Sequence, residues 1–148
     1  MKTHLVFVYG SLRQGFGNHG LLAENNAKFI GNSTIRARLY TEHWGWPFIK
    51  FSWSNKERVV GEVYEVDRPC MNRLDQLEGY SYNRSHNLFN RKRATTDKGQ
   101  IVWIYEGGES LLQRTSISAV HIKSGDWKIA KNEHYEDCKR HLTQPAHV

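Results

Sequence analysis

Asp67-Arg68-Pro69-Cys70-Met71-Asn72-Arg73-Leu74-Asp75-Gln76-Leu77-Glu78-Gly79 is the stretch on which the reading of this chain turns. Asp67 can cap a helix that starts at Arg68-Pro69, since proline is tolerated in a first turn, and Gly79 stops it. Met71, Leu74 and Glu78 follow the i, i+3, i+7 spacing of one helix stripe, so a carboxylate stands in line with two apolar side chains on the face that should point inward. That is a poor place for a surface acid. The negative end of the helix dipole disfavours it, and Asp75, three residues earlier, adds a like charge. Lys or Arg would serve solubility better in a last turn. A solvated helix-end acid beside a glycine stop is the ordinary reading; an inward carboxyl group with its pKa pushed upward is the functional one.

Working outward, strand signals predominate: Leu5 to Tyr9, Phe29 to Tyr40 with an interruption at Gly31-Asn32-Ser33, Pro47 to Trp53, Val59 to Val66, His86 to Lys92 and Ile101 to Tyr105. A short helix is expected after Asn18-His19-Gly20, covering Leu21 to Ala23, and another after Ser124-Gly125-Asp126 with Asp126 as its N-cap. The order lacks regular strand-helix-strand alternation. It favours an α+β protein built on a small mixed β-barrel, a closed or nearly closed sheet with short helices packed around it.

At 148 residues the chain reads as one domain, 1–148, with Gln144 to Val148 loosely held. Hydrophobic content is 39%, and five Trp and seven Tyr supply much of the area available to a core. The run Leu5 to Tyr9 is too short for a signal-peptide core or a membrane span, so a cytoplasmic, soluble protein is expected. Cys70 and Cys138 are far apart and outside any C-x-x-C pattern, which favours reduced thiols.

A second chemical feature lies where the first strand ends. Val8-Tyr9-Gly10-Ser11-Leu12-Arg13 runs from apolar residues into a loop holding Gly15, Gly17 and Gly20. Gly10 would let the backbone approach a ligand closely or take a positive φ, so that successive N–H groups converge on an oxygen anion. No Gly-Lys-Ser/Thr follows and the glycines do not fit a dinucleotide fingerprint; an ordinary turn is the competing reading.

Other residues carry less. His134, Cys138 and His141 share a helical spacing that could hold zinc, but no fourth ligand is identifiable and a polar C-terminal helix accounts for them, so no metal is assigned. The net charge of +6 is densest at Arg84, Arg91-Lys92-Arg93 and Lys98, around a turn at Ala94 to Gly99. This resembles a solvated hairpin more than a nucleic-acid platform, which stays as the competing partner class. Glu62 and Glu65 fall on opposite strand faces and cannot pair for glycoside chemistry. Ser11 lacks a nucleophile elbow, and Cys70 lacks a nearby His. Trp44 and Trp46 could shape a pocket entrance, though core packing is the simpler role.

Taken together, Val8-Tyr9-Gly10-Ser11-Leu12, Gly61-Glu62-Val63-Tyr64-Glu65-Val66 and Leu74-Asp75-Gln76-Leu77-Glu78-Gly79 resemble the gamma-glutamylcyclotransferase-like superfamily, in its gamma-glutamylamine cyclotransferase-like branch. Tyr82-Asn83-Arg84, Val102-Trp103-Ile104-Tyr105 and Ser124-Gly125-Asp126-Trp127 extend the likeness over roughly residues 5 to 130. The resemblance implies Glu78 as catalytic acid/base, Tyr9, Gly10, Ser11 and Leu12 as the loop that holds the gamma-glutamyl end, and Tyr105 in the same pocket. It implies a cofactor-independent reaction on a small gamma-glutamyl amide: the substrate α-amine attacks its own side-chain carbonyl, closing 5-oxoproline and expelling an amine. The link from Glu78-Gly79 to Tyr82 is shorter than the family's usual one, which implies an altered outer wall. A non-catalytic module of the same fold, engaging nucleic acid or an acidic protein through its basic surface, is the alternative. The oligomeric state is not readable from the sequence.

Overall fold

The computed structural model describes residues 2–42, 44–54, 56–115 and 119–143; the expectation for residues 144–148 lies outside them. Eight strands and four helices follow in the order β1 (Thr3–Val8), α1 (His19–Glu24), β2 (Lys28–Ile35), β3 (Ala37–Thr41), β4 (Pro47–Phe51), β5 (Val59–Asp67), α2 (Arg68–Leu77), β6 (Phe89–Thr95), β7 (Ile101–Gly107), α3 (Glu109–Thr115), β8 (Val120–Ile122) and α4 (Trp127–Thr143). Among the described residues no helix is long and apolar enough to cross a membrane.

The strands form a five-stranded sheet, β2-β5-β1-β7-β6, and a three-stranded one, β4-β3-β8. The fold is mixed α+β, as expected, but the sheet is not a closed barrel. β4 lies against β7 without a ladder: the Phe51 N–H donates instead to the Glu106 carboxylate at 3.1 Å, and Lys50 pairs with the same oxygen at 3.5 Å. The two strands pack closely enough that a Cβ added to Gly107 would lie 3.0 Å from the Phe48 ring.

In the larger sheet β1 is central, antiparallel to β5 from Thr3↔Asp67 to Val8↔Glu62 and parallel to β7 at Val6↔Trp103. Period-two alternation along β1 sends Val6 and Val8 to one core and Phe7 and Tyr9 to the other. The first core is closed by Leu22 of α1 and by Met71 and Leu74 of α2; the second by Ile35, Leu39 and Ile49 and by Trp127 of α4.

Strand ends differ from the sequence reading by two or three residues at several places, β4 stopping at Phe51 and β7 running on to Gly107 among them, and two differences have a clear cause. β2 runs unbroken through Gly31-Asn32-Ser33, accommodating the glycine as a bulge between Phe29 and Gly31, and the chain breaks at Arg36 instead. β6 starts only at Phe89 because the Asn87 side chain closes the preceding loop, accepting from Ser81 N–H and Arg84 Nε and donating to the Ser81 carbonyl. α3 and β8 carry no clear periodic signal and were not expected.

Past β1, the loop is tied down by a buried cation. Arg13 Nε bonds Glu62 of β5 at 3.0 Å, and its Nη1 bonds Asp126 at 3.0 Å. The Gln14 N–H and the Tyr64 hydroxyl add bonds to the other Glu62 oxygen at 2.9 and 2.8 Å. Asp126 also caps α4, accepting from the Lys128 and Ile129 N–H groups. Arg13→Met would leave Glu62 and Asp126 without their shared cation, Glu62 in a buried setting, so denaturant titration should show a loss of about 3–5 kcal/mol; a loss below about 1 kcal/mol would mean water already screens the cluster.

Candidate active site

α2 begins as its sequence requires and ends on its acid. The Asp67 side chain accepts from the Cys70 N–H at 2.9 Å and Pro69 occupies the first turn. At the far end Glu78 keeps a helical backbone, its N–H bonding the Leu74 carbonyl at 2.9 Å. Gly79 then turns left-handed at φ 64°, letting Gly79 N–H reach Gln76 O and Tyr80 N–H reach Asp75 O. This paired closure satisfies the last carbonyls and stops the helix at one fixed residue. Met71 and Leu74 are buried and Glu78 is partly so, the order the stripe predicted.

A cavity of about 290 Å³ opens at this helix end. Glu78, Tyr9, Gly10, Ser11, Leu12 and Tyr105 all line it, so the fold brings together every site residue that the sequence nominated. Trp46, which the sequence offered as an entrance residue, lines it too, together with residues the sequence did not nominate, Asn18, Pro47, Leu77, Leu88 and Phe89 among them. Trp46 meets Phe89 edge-on at 6.1 Å. Trp44, by contrast, stacks on Trp127 and on His134, outside the cavity lining.

The loop after β1 is a tight turn, with Arg13 N–H on the Gly10 carbonyl at 3.0 Å. Gly10 does not take a positive φ. Its missing side chain is required by Pro47, whose ring carbons would lie 2.7 and 2.9 Å from an added Cβ, so the close approach is to protein. Asn18 holds the next residue, its Nδ2 donating to Ser11 Oγ at 2.8 Å and its N–H to the Ser11 carbonyl. The N–H groups of Gly10, Ser11 and Leu12 donate to no protein group among the described residues. They are main-chain donors available to a ligand oxygen.

Glu78 accepts no hydrogen bond from the described residues, and burial alone pushes its carboxyl group from 4.5 up to about 7. Asp75 does not contribute. Its oxygens accept from the Tyr105 hydroxyl at 2.7 Å and from Arg91 at 2.8 Å, so the like charge expected beside Glu78 is neutralised. The Tyr9 hydroxyl donates to the Tyr105 carbonyl at 2.6 Å. Burial first holds both phenols well above the usual range; for Tyr105 the Asp75 hydrogen bond and charge follow, and the Glu78 charge adds to both. Both hydroxyls stay protonated near a carboxyl group poised around neutrality.

The basic residues are partly committed within the fold. Arg91 pairs with Asp75 and lies over Tyr80 and Trp103, Arg93 lies over Trp103, and Arg84 donates to the Gly79 carbonyl and to Asn87. On α4, Cys138 Sγ is 3.5 Å from His134 Nε2; the described residues contain no group of three or more potential metal ligands.

The family described as gamma-glutamyl cyclotransferase, AIG2-like, matches residues 6–129, and the chain belongs to it. A Methanocaldococcus jannaschii protein, provisionally named a gamma-glutamylcyclotransferase, is 34% identical over 83% of this chain and 94% of its own length. The zebrafish protein gamma-glutamylaminecyclotransferase C is 39% identical over 53% of this chain and 55% of its own. Among solved structures, an uncharacterized Pyrococcus horikoshii protein superposes with a TM-score of 0.65 at 27% identity, covering 90% of this chain and 97% of its own.

The raised Glu78 pKa fixes the sign of a stability change. The folded state holds this proton more tightly than the unfolded chain, so its stabilisation is complete below pH 4.5 and lost as pH rises through about 7. Glu78→Gln removes the titration. Relative to their difference at pH 4, the variant should gain about 3 kcal/mol over wild type at pH 8.5 by urea unfolding; a pH-independent difference would mean the carboxyl group is effectively solvated.

Proposed function

We propose that the chain is a gamma-glutamylamine cyclotransferase in which Glu78 carries the proton. The observation that carries this reading is a carboxyl group raised by burial to about 7, in a cavity also lined by the Gly10 to Leu12 turn and its uncommitted N–H groups. An α-amine is largely protonated at pH 7 and cannot attack until a base takes its proton, while the departing amine must receive one. A single carboxyl group near neutrality can do both in turn. The α-nitrogen bonds to the side-chain carbonyl carbon, the amide C–N bond breaks, and the proton passes through Glu78 to the leaving nitrogen.

Binding in a folded conformer brings amine and carbonyl together before reaction, which converts lost freedom into rate. The N–H groups of Gly10, Ser11 and Leu12 are the donors for the developing oxyanion. The wall formed by Trp46, Pro47, Leu77, Leu88 and Phe89 suits the carbon chain of a leaving amine. It offers no cation for the carboxylate that an α-amino acid leaving group would carry. The amine named for the zebrafish relative supports the same choice.

Incubation with gamma-glutamyl alkylamides, gamma-glutamyl-lysine included, should release 5-oxoproline, with Glu78→Gln slower by about 10²–10⁴-fold. Release unaffected by that change would overturn the assignment, and no release across a broad amide panel, together with salt-sensitive nucleic-acid binding, would favour the non-catalytic module. Below about pH 7, kcat/KM should fall tenfold per pH unit as Glu78 takes up its proton. A profile flat from pH 5.5 to 8 would remove Glu78 as the base.

A further inference from the structure

Asp75 sits on α2 one turn before Glu78 and spends both oxygens on fixed donors, Tyr105 at Oδ1 and Arg91 at Oδ2. The Arg91 guanidinium is itself held, 4.7 Å from the Trp103 ring centroid and 5.3 Å from that of Tyr80. An ion-paired carboxylate can only accept. The Tyr105 O–H bond therefore points at Asp75, and the hydroxyl has only lone pairs left to offer. Tyr105 lines the cavity with Glu78, and the Glu78 charge reaches the Tyr105 phenol.

We propose that Asp75 is a positioning residue: by holding the Tyr105 proton, it makes the Tyr105 oxygen an obligate acceptor for an N–H of the substrate α-amine. The inference rests on the cyclotransferase reading. An α-ammonium group has three N–H bonds; one proton leaves to Glu78, one N–H bonds the Tyr105 oxygen, and the lone pair so freed is turned toward the carbonyl. A hydroxyl free to rotate would donate to that lone pair and block attack. Asp75 removes this option.

The substitution Asp75→Asn reverses the polarity and keeps the shape. Arg91 takes the amide oxygen, the amide NH₂ faces Tyr105, and the hydroxyl must accept from it and turn its own proton into the cavity. Tyr105→Phe merely deletes the acceptor and should lower kcat/KM about tenfold, the worth of one hydrogen bond. Asp75→Asn should be slower than Tyr105→Phe by about a further tenfold. The double variant should recover to the Tyr105→Phe rate, because no misdirected hydroxyl remains. A merely structural Asp75 predicts the opposite order, with the double variant slower than either single one, and that result overturns the proposal.

Near-UV circular dichroism and thermal melts establish that each variant is folded. Should Asp75→Asn not fold, binding decides the matter in the Glu78→Gln background, comparing a gamma-glutamyl alkylamide with the glutaric acid monoamide that lacks the α-amine. Tyr105→Phe should weaken the first several-fold and leave the second unchanged; equal weakening of both overturns the proposal. Failure of wild type to release 5-oxoproline sinks the cyclotransferase reading and this inference with it. Turnover that depends on Glu78, with no recovery in the double variant, sinks the inference alone.

Discussion

The antiparallel ladder of β1 on β5 is the constraint on which the cavity depends. It runs from Thr3↔Asp67 to Val8↔Glu62, so β5 ends beside the start of β1 and α2 begins there at once. A helix from Arg68 to Glu78 covers about 15 Å at 1.5 Å per residue, and β1 with Tyr9 covers about 20 Å at 3.4 Å per residue. Packed back along the sheet through Met71 and Leu74, the helix brings its last turn to the level where β1 gives way to the Gly10 turn. Acid and donor loop meet because the two element lengths agree to within about 5 Å. The paired closure at Gly79 matters for the same reason, since it turns the chain away directly after Glu78 and leaves that acid at the helix end.

Around that meeting point the two halves are fixed by different physics. The donor loop is held electrostatically: Arg13 joins carboxylates from β5 and from the cap of α4, and its backbone closes the turn on Gly10. The acid is held by its helix and left without protein hydrogen bonds, so desolvation raises its pKa without opposition. A partner donating to Glu78 would lower that pKa and remove its capacity to exchange a proton near neutrality. The neighbouring carboxylate has the opposite treatment, being fully satisfied by Arg91 and Tyr105. Two acids one helical turn apart thus have distinct electrostatic states. The difference comes from β6 and β7, which supply Arg91 and Tyr105, and not from α2 itself.

The remaining wall shows how far apart in sequence the parts of a small cavity can be. Trp46 and Pro47 come from the start of β4, Leu88 and Phe89 from the approach to β6, and Leu77 from α2. Gly79 makes room for this arrangement, because a Cβ there would lie 3.1 Å from Leu88 Cβ. The link after Glu78 is held together because Arg84 and Asn87 tie it internally, and Leu88 N–H returns to the Gly79 carbonyl.

Local chemistry was legible in the sequence wherever it acts over a few residues. The Asp67 cap, the Gly79 stop, the inward stripe ending on Glu78, the Asp126 cap of α4 and the alternation of β1 follow from hydrogen-bonding and side-chain geometry that neighbours alone determine. So did the membership of Tyr9 to Leu12, Glu78 and Tyr105 in one cavity, through the motifs that carry them. Tertiary structure decided the rest. Whether Asp75 would press on Glu78 depended on where Arg91 and Tyr105 arrive, and why Gly10 is glycine depended on Pro47. That the sheet stays open between β4 and β7, with the Phe51 N–H spent on the Glu106 carboxylate, depended on how the two strands meet. Each of these is a contact between residues 16 or more positions apart, and sequence periodicity carries no information about such distances until the strands have paired.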